Sequence, residues 1–268
     1  LQGHRGMRGL FPENSILGFL KALELGVNTL ELDIVMSGET QLVVSHEPFI
    51  SSAICRYPGG VQIPKEKEKD LNMYHMTYQE IKAFDCGSLF NNDFLLQEKS
   101  RISKPLLIEV LDTIEQVATA KGQLIHYNIE LKSELALEGV YHPEVAVFCQ
   151  VAYQAIKDQV DWRRITIQSF DFRILRYFNK YYPEVQLALL IENELSWDLN
   201  IDSLGFKPEI YSCDYALLSA ETISELQEKN MKVIPWTVND SLDMQQLIHW
   251  GVNGLITDYP NIALEILN

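Results

Sequence analysis

The sequence predicts an α/β chain wound into a closed TIM (β/α)8 barrel with a small insertion after the second strand, and three observations carry that expectation. Short β-rich runs alternate with helix-length amphipathic segments along all 268 residues. Eight such units can be counted, whereas an open doubly wound sheet usually has fewer. The rhythm breaks once, over 48–104, and is regular on both sides. The expected organisation is a single barrel domain over 1–268 with 48–104 as the insertion.

The β-rich runs fall at 1–5, 28–36, 124–132, 164–170, 185–191, 209–214, 232–238 and 253–258. Helical patterns fall at 14–26, 106–121, 143–160, 171–181, 219–230, 240–250 and 260–267, and the gap at 194–206 is weaker, enough for a turn of helix. Pro12-Glu13-Asn14 opens the first helix, with Asn14 as its cap; Pro143 opens the third; Asp240 or Ser241 caps the one before Gly251. Gly26, Gly122 and Gly251 lie just past helical runs, where a left-handed stop is favoured. A structureless loop as long as 48–104 is uncommon in a compact domain, so this segment is expected to pack over one end of the barrel. Its charge run from Lys65 to Asp70 reads as a solvated surface.

Composition narrows the function classes. Apolar residues make up 47% and charged residues 22%, an ordinary globular balance. The formal net charge of −15 is a poor match to nucleic acid or to an anionic membrane surface. No run approaches the roughly 20 apolar residues of a transmembrane segment. Leu1 in place of an initiator Met leaves room for a removed signal; removal implies a periplasmic or secreted protein, and otherwise a cytoplasmic one. The four cysteines show no CxxC spacing, which argues against a zinc site. Cys149 and Cys213 read as buried thiols, while Cys55 and Cys86 are equally compatible with a disulfide and with two separate thiols. Nothing in the sequence signals an oligomeric state.

The chemistry concentrates at strand ends. In Thr29-Leu30-Glu31-Leu32-Asp33-Ile34, alternation puts the aliphatic residues on one face and Glu31 and Asp33 on the other. In a barrel strand the aliphatic face meets the helices, so both carboxylates point inward, where a cation relieves their repulsion. The same inversion recurs in Asn128-Ile129-Glu130-Leu131-Lys132, adding a third carboxylate and an oxygen-rich set suited to Mg²⁺ or Ca²⁺; the alternative for Glu130 is an ion pair with Lys132. About a dozen residues link Asp33 to His46, too few for a crossover, so 29–46 reads as a hairpin folded about Glu39 and Thr40 that returns His46 opposite Asp33. His4 closes the first strand at the same end, beside Arg5. A divalent cation, two imidazoles, Arg5 and Lys132 suit a phosphorylated substrate: one histidine removes a proton, the other protonates a leaving oxygen, and a bell-shaped pH profile follows.

With these residues in place, the chain resembles the glycerophosphodiester phosphodiesterase family. The blocks are His4-Arg5-Gly6, Pro12-Glu13-Asn14-Ser15, Glu31-Leu32-Asp33, Val43-Val44-Ser45-His46, Asn128 to Lys132, Gln168 to Asp171, Trp236 to Asn239 and Gly254 to Pro260, in the family's order across the whole chain. The resemblance implies hydrolysis of a small-molecule glycerophosphodiester to glycerol 3-phosphate and an alcohol. It implies that His4 and His46 are the acid–base pair, that Glu31, Asp33 and Glu130 hold Mg²⁺ or Ca²⁺, and that Arg5 and Lys132 contact phosphate. Trp236 matches an aromatic that packs against the glycerol carbons, with a core strand residue as its plainer alternative. The implied chemistry uses the glycerol 2-hydroxyl as nucleophile and a cyclic phosphate that water opens. The family's His-Asp is His46-Glu47 here, leaving Glu47 to reach the metal or orient a neighbour, and Glu13 and Asn14 to help order the site. Two other readings stay open: a phospholipase-like lyase that releases the cyclic phosphate, and a barrel that binds phosphate ligands without turnover.

Overall fold

The structure, a computed structural model, describes residues 1–267. Strand β1 (Gln2–Gly3) leads to helix α1 (Ile16–Leu25), and β2 (Thr29–Met36) folds back antiparallel into β3 (Leu42–Val44). The following segment holds helix α2 (Tyr78–Lys82). Then come α3 (Leu107–Lys121), β4 (His126–Leu131), α4 (Val145–Ile156), β5 (Ile165–Ser169), α5 (Phe172–Tyr181), β6 (Gln186–Ile191) and α6 (Trp197–Leu204). The chain ends with β7 (Ile210–Cys213), α7 (Ala220–Glu228), β8 (Lys232–Val233), α8 (Ser241–His249), β9 (Ile256–Thr257) and α9 (Pro260–Leu267).

The parallel strands neighbour one another in the order β8-β7-β6-β5-β4-β2-β1-β9. Backbone hydrogen bonds join the two ends of that row: Asn253 N donates to Val233 O at 2.9 Å, Ile256 N to Pro235 O at 3.0 Å, and Val238 N to Ile256 O at 3.0 Å. Eight parallel strands thus curl into the expected barrel. The terminal strands are shorter than their apolar runs. β8 stops at Val233 because Pro235 has no N–H to give to the ladder. β1 stops at Gly3 because the chain turns back through Arg5 (φ 50°) and Gly6 (φ 90°), so closely that a Cβ on Gly3 would lie 2.1 Å from Gly6 O. The weak gap at 194–206 forms a helix of 8 residues, closed by Gly205 at φ 84°. Asn200 and Leu204 are its buried residues, which is why its periodicity is faint.

Leu30, Leu32 and Ile34 are fully buried in the main core with Phe19 of α1 and Leu111 of α3. Ala188, Ile210, Ile234 and Ile256 form a separate apolar cluster, against which Trp236 packs. A third cluster, of Val35, Val43, Ile50, Met73, Ile81 and Phe84, ties residues 50–86 to the outer side of the hairpin. Cys55 and Cys86 lie in that cluster and form a disulfide, while Cys149 and Cys213 are buried free thiols. The charge run corrects one expectation. Its Glu68 is buried, accepting hydrogen bonds from Ser52 N at 3.1 Å and Ser52 Oγ at 2.7 Å, and only its neighbours are solvated.

Candidate metal and acid–base centre

The hairpin forms as the turn residues require. Ile34 pairs with Val44 and Met36 with Leu42, centring the fold on Glu39, with Thr40 in the left-handed region at φ 64°. Asp33 O accepts from Ser45 N at 2.9 Å, so Ser45 stands opposite Asp33 and His46 lies one residue beyond. In the parallel ladder Asp33 pairs with Glu130 and Glu31 with Asn128, which brings the acidic positions of β2 and β4 to one level. Carboxylate oxygens of Glu31, Asp33 and Glu130 lie within 4.8 Å of one another, and all three residues are buried.

This triad suits a hard divalent cation. Burial and then the Asp33 charge push Glu31 well above the ordinary carboxylate range. Burial raises Glu130 as well, with Asp33 adding to the shift and Lys132 opposing it. Burial would also raise Asp33, but Arg5, His46, Lys132 and a bond from Asn14 outweigh it and hold that carboxyl below its usual range. Three oxygen donors that resist sharing negative charge fit Mg²⁺ or Ca²⁺, whose charge removes the repulsion.

Each imidazole is fixed through Nδ1 by a carboxylate, leaving Nε2 for chemistry. His4 Nδ1 meets Asp258 Oδ1 at 2.7 Å, and its Nε2 is 3.9 Å from Glu31 Oε2. His46 Nδ1 meets Glu47 Oε1 at 2.9 Å. That bond is the leading cause holding Glu47 below its usual range. Burial lowers His4, more than its bond to Asp258 raises it. Asp258 is fully buried and also accepts from Arg8 Nε at 2.9 Å, Arg8 Nη2 at 3.0 Å and Asn239 Nδ2 at 2.8 Å. Burial would raise this carboxyl, but His4 and Arg8 more than offset it and keep it ionised.

Arg5 is locked among carboxylates. Its backbone N donates to Glu31 Oε2 at 2.9 Å, its Nη1 to Glu13 Oε1 at 3.0 Å, and its Nε lies 3.4 Å from Asp33 Oδ2. Lys132 Nζ donates to Glu130 Oε1 at 2.7 Å, so the local ion pair forms beside the triad. Asn14 corrects an expectation. Ser15, not Asn14, caps α1 by accepting from Gly18 N at 3.0 Å. Asn14 instead grips Asp33, donating to Oδ2 at 2.8 Å and accepting from Asp33 N at 3.3 Å. Gln168 Nε2 donates to Glu31 Oε1 at 2.8 Å, and Asn128 links Gln168 to Gln2 at 2.8 Å each way.

A cavity of about 530 Å³ opens over the triad, lined by His4, Arg5, Arg8, His46, Glu47 and Lys132 on one side and by Glu134, Phe170, Glu192 and Trp236 on the other. Trp236 is half-buried, its indole fixed by a 2.9 Å bond to Ser212 O. The structure therefore brings ten sequence-selected residues (His4, Arg5, Glu13, Asn14, Glu31, Asp33, His46, Glu47, Glu130, Lys132) into one contact network, with Trp236 across the cavity. Sequence reasoning missed Asp258, Arg8 and the role of Gln168. Asp258 shares strand parity with Ile256 at the end of the last β-rich run, and the polar-inward rule applied to β2 and β4 finds it there.

A parallel barrel with buried acids, cations and two carboxylate-held imidazoles at one mouth is the architecture of a phosphoric diester hydrolase. The model of the Glycerophosphoryl diester phosphodiesterase family matches residues 4–262, and the chain belongs to that family. A glycerophosphodiester phosphodiesterase of Caldanaerobacter subterraneus is 30% identical, over 98% of this chain and 96% of the relative. One of Bacillus altitudinis is 28% identical over the same shares. A crystal structure from Silicibacter pomeroyi, assigned to the glycerophosphoryl diester phosphodiesterases, superposes with a TM-score of 0.89 at 28% identity, covering 99% of this chain and 92% of that one. An Oleispira antarctica phosphodiesterase in complex with the product sn-glycerol-3-phosphate gives 0.78 at 20% identity, over 99% and 95% of the two chains, a likeness of fold.

Proposed function

We propose that this enzyme hydrolyses glycerophosphodiesters to glycerol 3-phosphate and an alcohol, using Mg²⁺ or Ca²⁺ and the His4–His46 pair. The observation that carries the reading is the buried triad of Glu31, Asp33 and Glu130 beneath a cavity that both histidines line. Those three carboxylates would hold the cation, which when bound supplies charge to phosphoryl oxygens. Arg5, pinned by Glu13, presents a fixed guanidinium to the phosphate, and Lys132 adds an ammonium. With Nδ1 of each ring engaged, Nε2 of one histidine takes the proton of the attacking hydroxyl and Nε2 of the other delivers a proton to the departing alkoxide. Asp258 acts on His4 as the orienting member of a triad acts on its imidazole, and Glu47 does so for His46. Gln168 and Asn14 orient Glu31 and Asp33, the support that metal carboxylates require. Residues 1–268 act as one barrel domain, with 48–104 shaping access to the mouth. A product complex with sn-glycerol-3-phosphate in a protein of the same fold supports the substrate class.

The test is phosphorus NMR of the products formed from glycerophosphocholine with Mg²⁺, with Ca²⁺ and with EDTA. Glycerol 3-phosphate should accumulate with metal and not with chelator. Accumulation of a cyclic phosphate as the end product would favour the lyase instead, and absence of turnover on any diester would leave only a binding barrel.

A further inference from the structure

The substrate cavity has a second side whose chemistry differs from the metal side. On the proposed diesterase reading, that side receives the leaving alcohol. Its residues follow from strand register. Glu130 pairs with Gln168 and Gln168 with Ala188 across β4, β5 and β6. Two residues further along each strand, with the same inward parity, stand Lys132, Phe170 and Leu190. Two further again come Glu134 and Glu192, while on the middle strand the chain has already turned into α5. The result is a gap above the Phe170 ring flanked by a carboxylate on each neighbouring strand, and all three residues line the cavity.

This wall is pre-formed. Trp236 meets Phe170 edge-on, with centroids 5.4 Å apart and planes at 86°. Buried His142 donates from Nδ1 to Pro143 O at 2.8 Å and accepts at Nε2 from Glu134 N at 3.0 Å, fixing the backbone that carries Glu134. Charge pairing is unequal across the cavity. Arg5, Arg8 and Lys132 each have a carboxylate partner at 3.0 Å or less. Glu134 and Glu192 have no ion-pair partner among the described residues. Lys132 lies 5.8 Å from the Phe170 centroid, but its charge is matched by Glu130. An aromatic face between two unmatched carboxylates attracts a positively charged group, and an alkylated ammonium gains from both.

We propose that Glu134, Phe170 and Glu192 form a leaving-group subsite selective for cationic amino alcohols, so that the preferred diesters carry a quaternary or primary ammonium on the alcohol. Anionic alcohols are disfavoured by the same two carboxylates. Selectivity of this origin is a difference in binding to one part of the substrate, and it leaves the phosphate and glycerol contacts common to all.

The experiment compares kcat/KM for glycerophosphocholine with that for its uncharged isostere, the 3,3-dimethylbutyl diester, in which carbon replaces nitrogen. The expected ratio is about tenfold for the cation at low ionic strength, shrinking as salt is added. In the Glu134→Gln/Glu192→Gln double variant it should fall to about twofold. A ratio near one in the unaltered enzyme, or one indifferent to salt or to the double substitution, would overturn the subsite. Salt dependence needs no variant, so misfolding of the double variant cannot rescue the idea. If neither diester is cleaved, the hydrolase reading fails, and calorimetry with choline against 3,3-dimethylbutanol still decides the subsite: choline should bind measurably tighter, and equal or absent binding overturns it.

Discussion

Replacing Asp258 by Asn keeps the shape of a fully buried side chain and removes its charge. Arg8 Nε stands 2.9 Å from Oδ1. At an effective dielectric of about 20 the gross attraction at that distance is about 6 kcal/mol. Desolvation cancels part of it, and removing one partner of a buried ion pair usually costs about 3–5 kcal/mol. The Asn amide offers one acceptor where His4, Arg8 and Asn239 need several, and its NH2 would face a donor. A loss of about 3 kcal/mol is therefore expected, lowering the urea midpoint by about 1 M at a slope near 3 kcal/mol/M. His4 also loses its orienting partner, and turnover should fall by about 10²-fold. The paired assay is urea unfolding followed by fluorescence, and release of glycerol 3-phosphate under saturating metal. The sign of the pH effect follows from the depressed carboxyl of Asp258. Its contribution is complete above the unfolded carboxyl value of about 3.9 and declines as pH falls from there toward the lower folded value. The unaltered enzyme should lose stability over that acidic range, and Asp258→Asn should lose less. A midpoint and a rate both equal to those of the unaltered enzyme would refute the reasoning.

Three further outcomes are expected. Adding Mg²⁺ or Ca²⁺ to chelator-treated enzyme at about 100 times its dissociation constant should stabilise it by about 2.7 kcal/mol; Glu130→Gln should need far more metal for the same thermal shift, and an unchanged metal titration speaks against the triad. Asn14→Ala should weaken metal binding and cost about 2 kcal/mol, from lost bonds to Asp33 and from Ala at φ 50°; Asn14→Gly, which suits that backbone, should recover part of the stability and none of the metal affinity. Reducing the Cys55–Cys86 bond, which closes a loop of sequence separation 31, should cost about 3–4 kcal/mol, and identical unfolding with and without reductant would show that the bond does not constrain this segment.

The barrel and the metal triad were legible because their signals are local. Alternation in Thr29–Ile34 and Asn128–Lys132 names the inward acids, and the turn at Ser37–Thr40 dictates the hairpin that returns His46. The register is one residue off the expected pairing, since turn chemistry locates a fold without fixing which residues exchange hydrogen bonds. What escaped was long-range. Asp258 acquires its role only when β9 closes beside β1, 254 residues from His4 in sequence. Arg8 sits in a turn with no periodicity, and Gln168 looks like any polar strand residue until Glu31 is placed above it. Asn14 was misread because Asn and Ser are both good caps and stand side by side; the backbone gave the cap to Ser15 and the left-handed position to Asn14. Glu68 was hidden in a charge run because burial of one member depends on Ser52, which the run itself does not reveal.

The most direct measurement is the turnover number for glycerol 3-phosphate release by His4→Ala and His46→Ala, each with metal occupancy verified by thermal shift. Both variants should bind Mg²⁺ or Ca²⁺, unfold cooperatively, and lose at least about 10²-fold in kcat, since each lacks one proton-transfer group. Metal-loaded His46→Ala or His4→Ala turning over at the unaltered rate would contradict the acid–base pair at the centre of the mechanism.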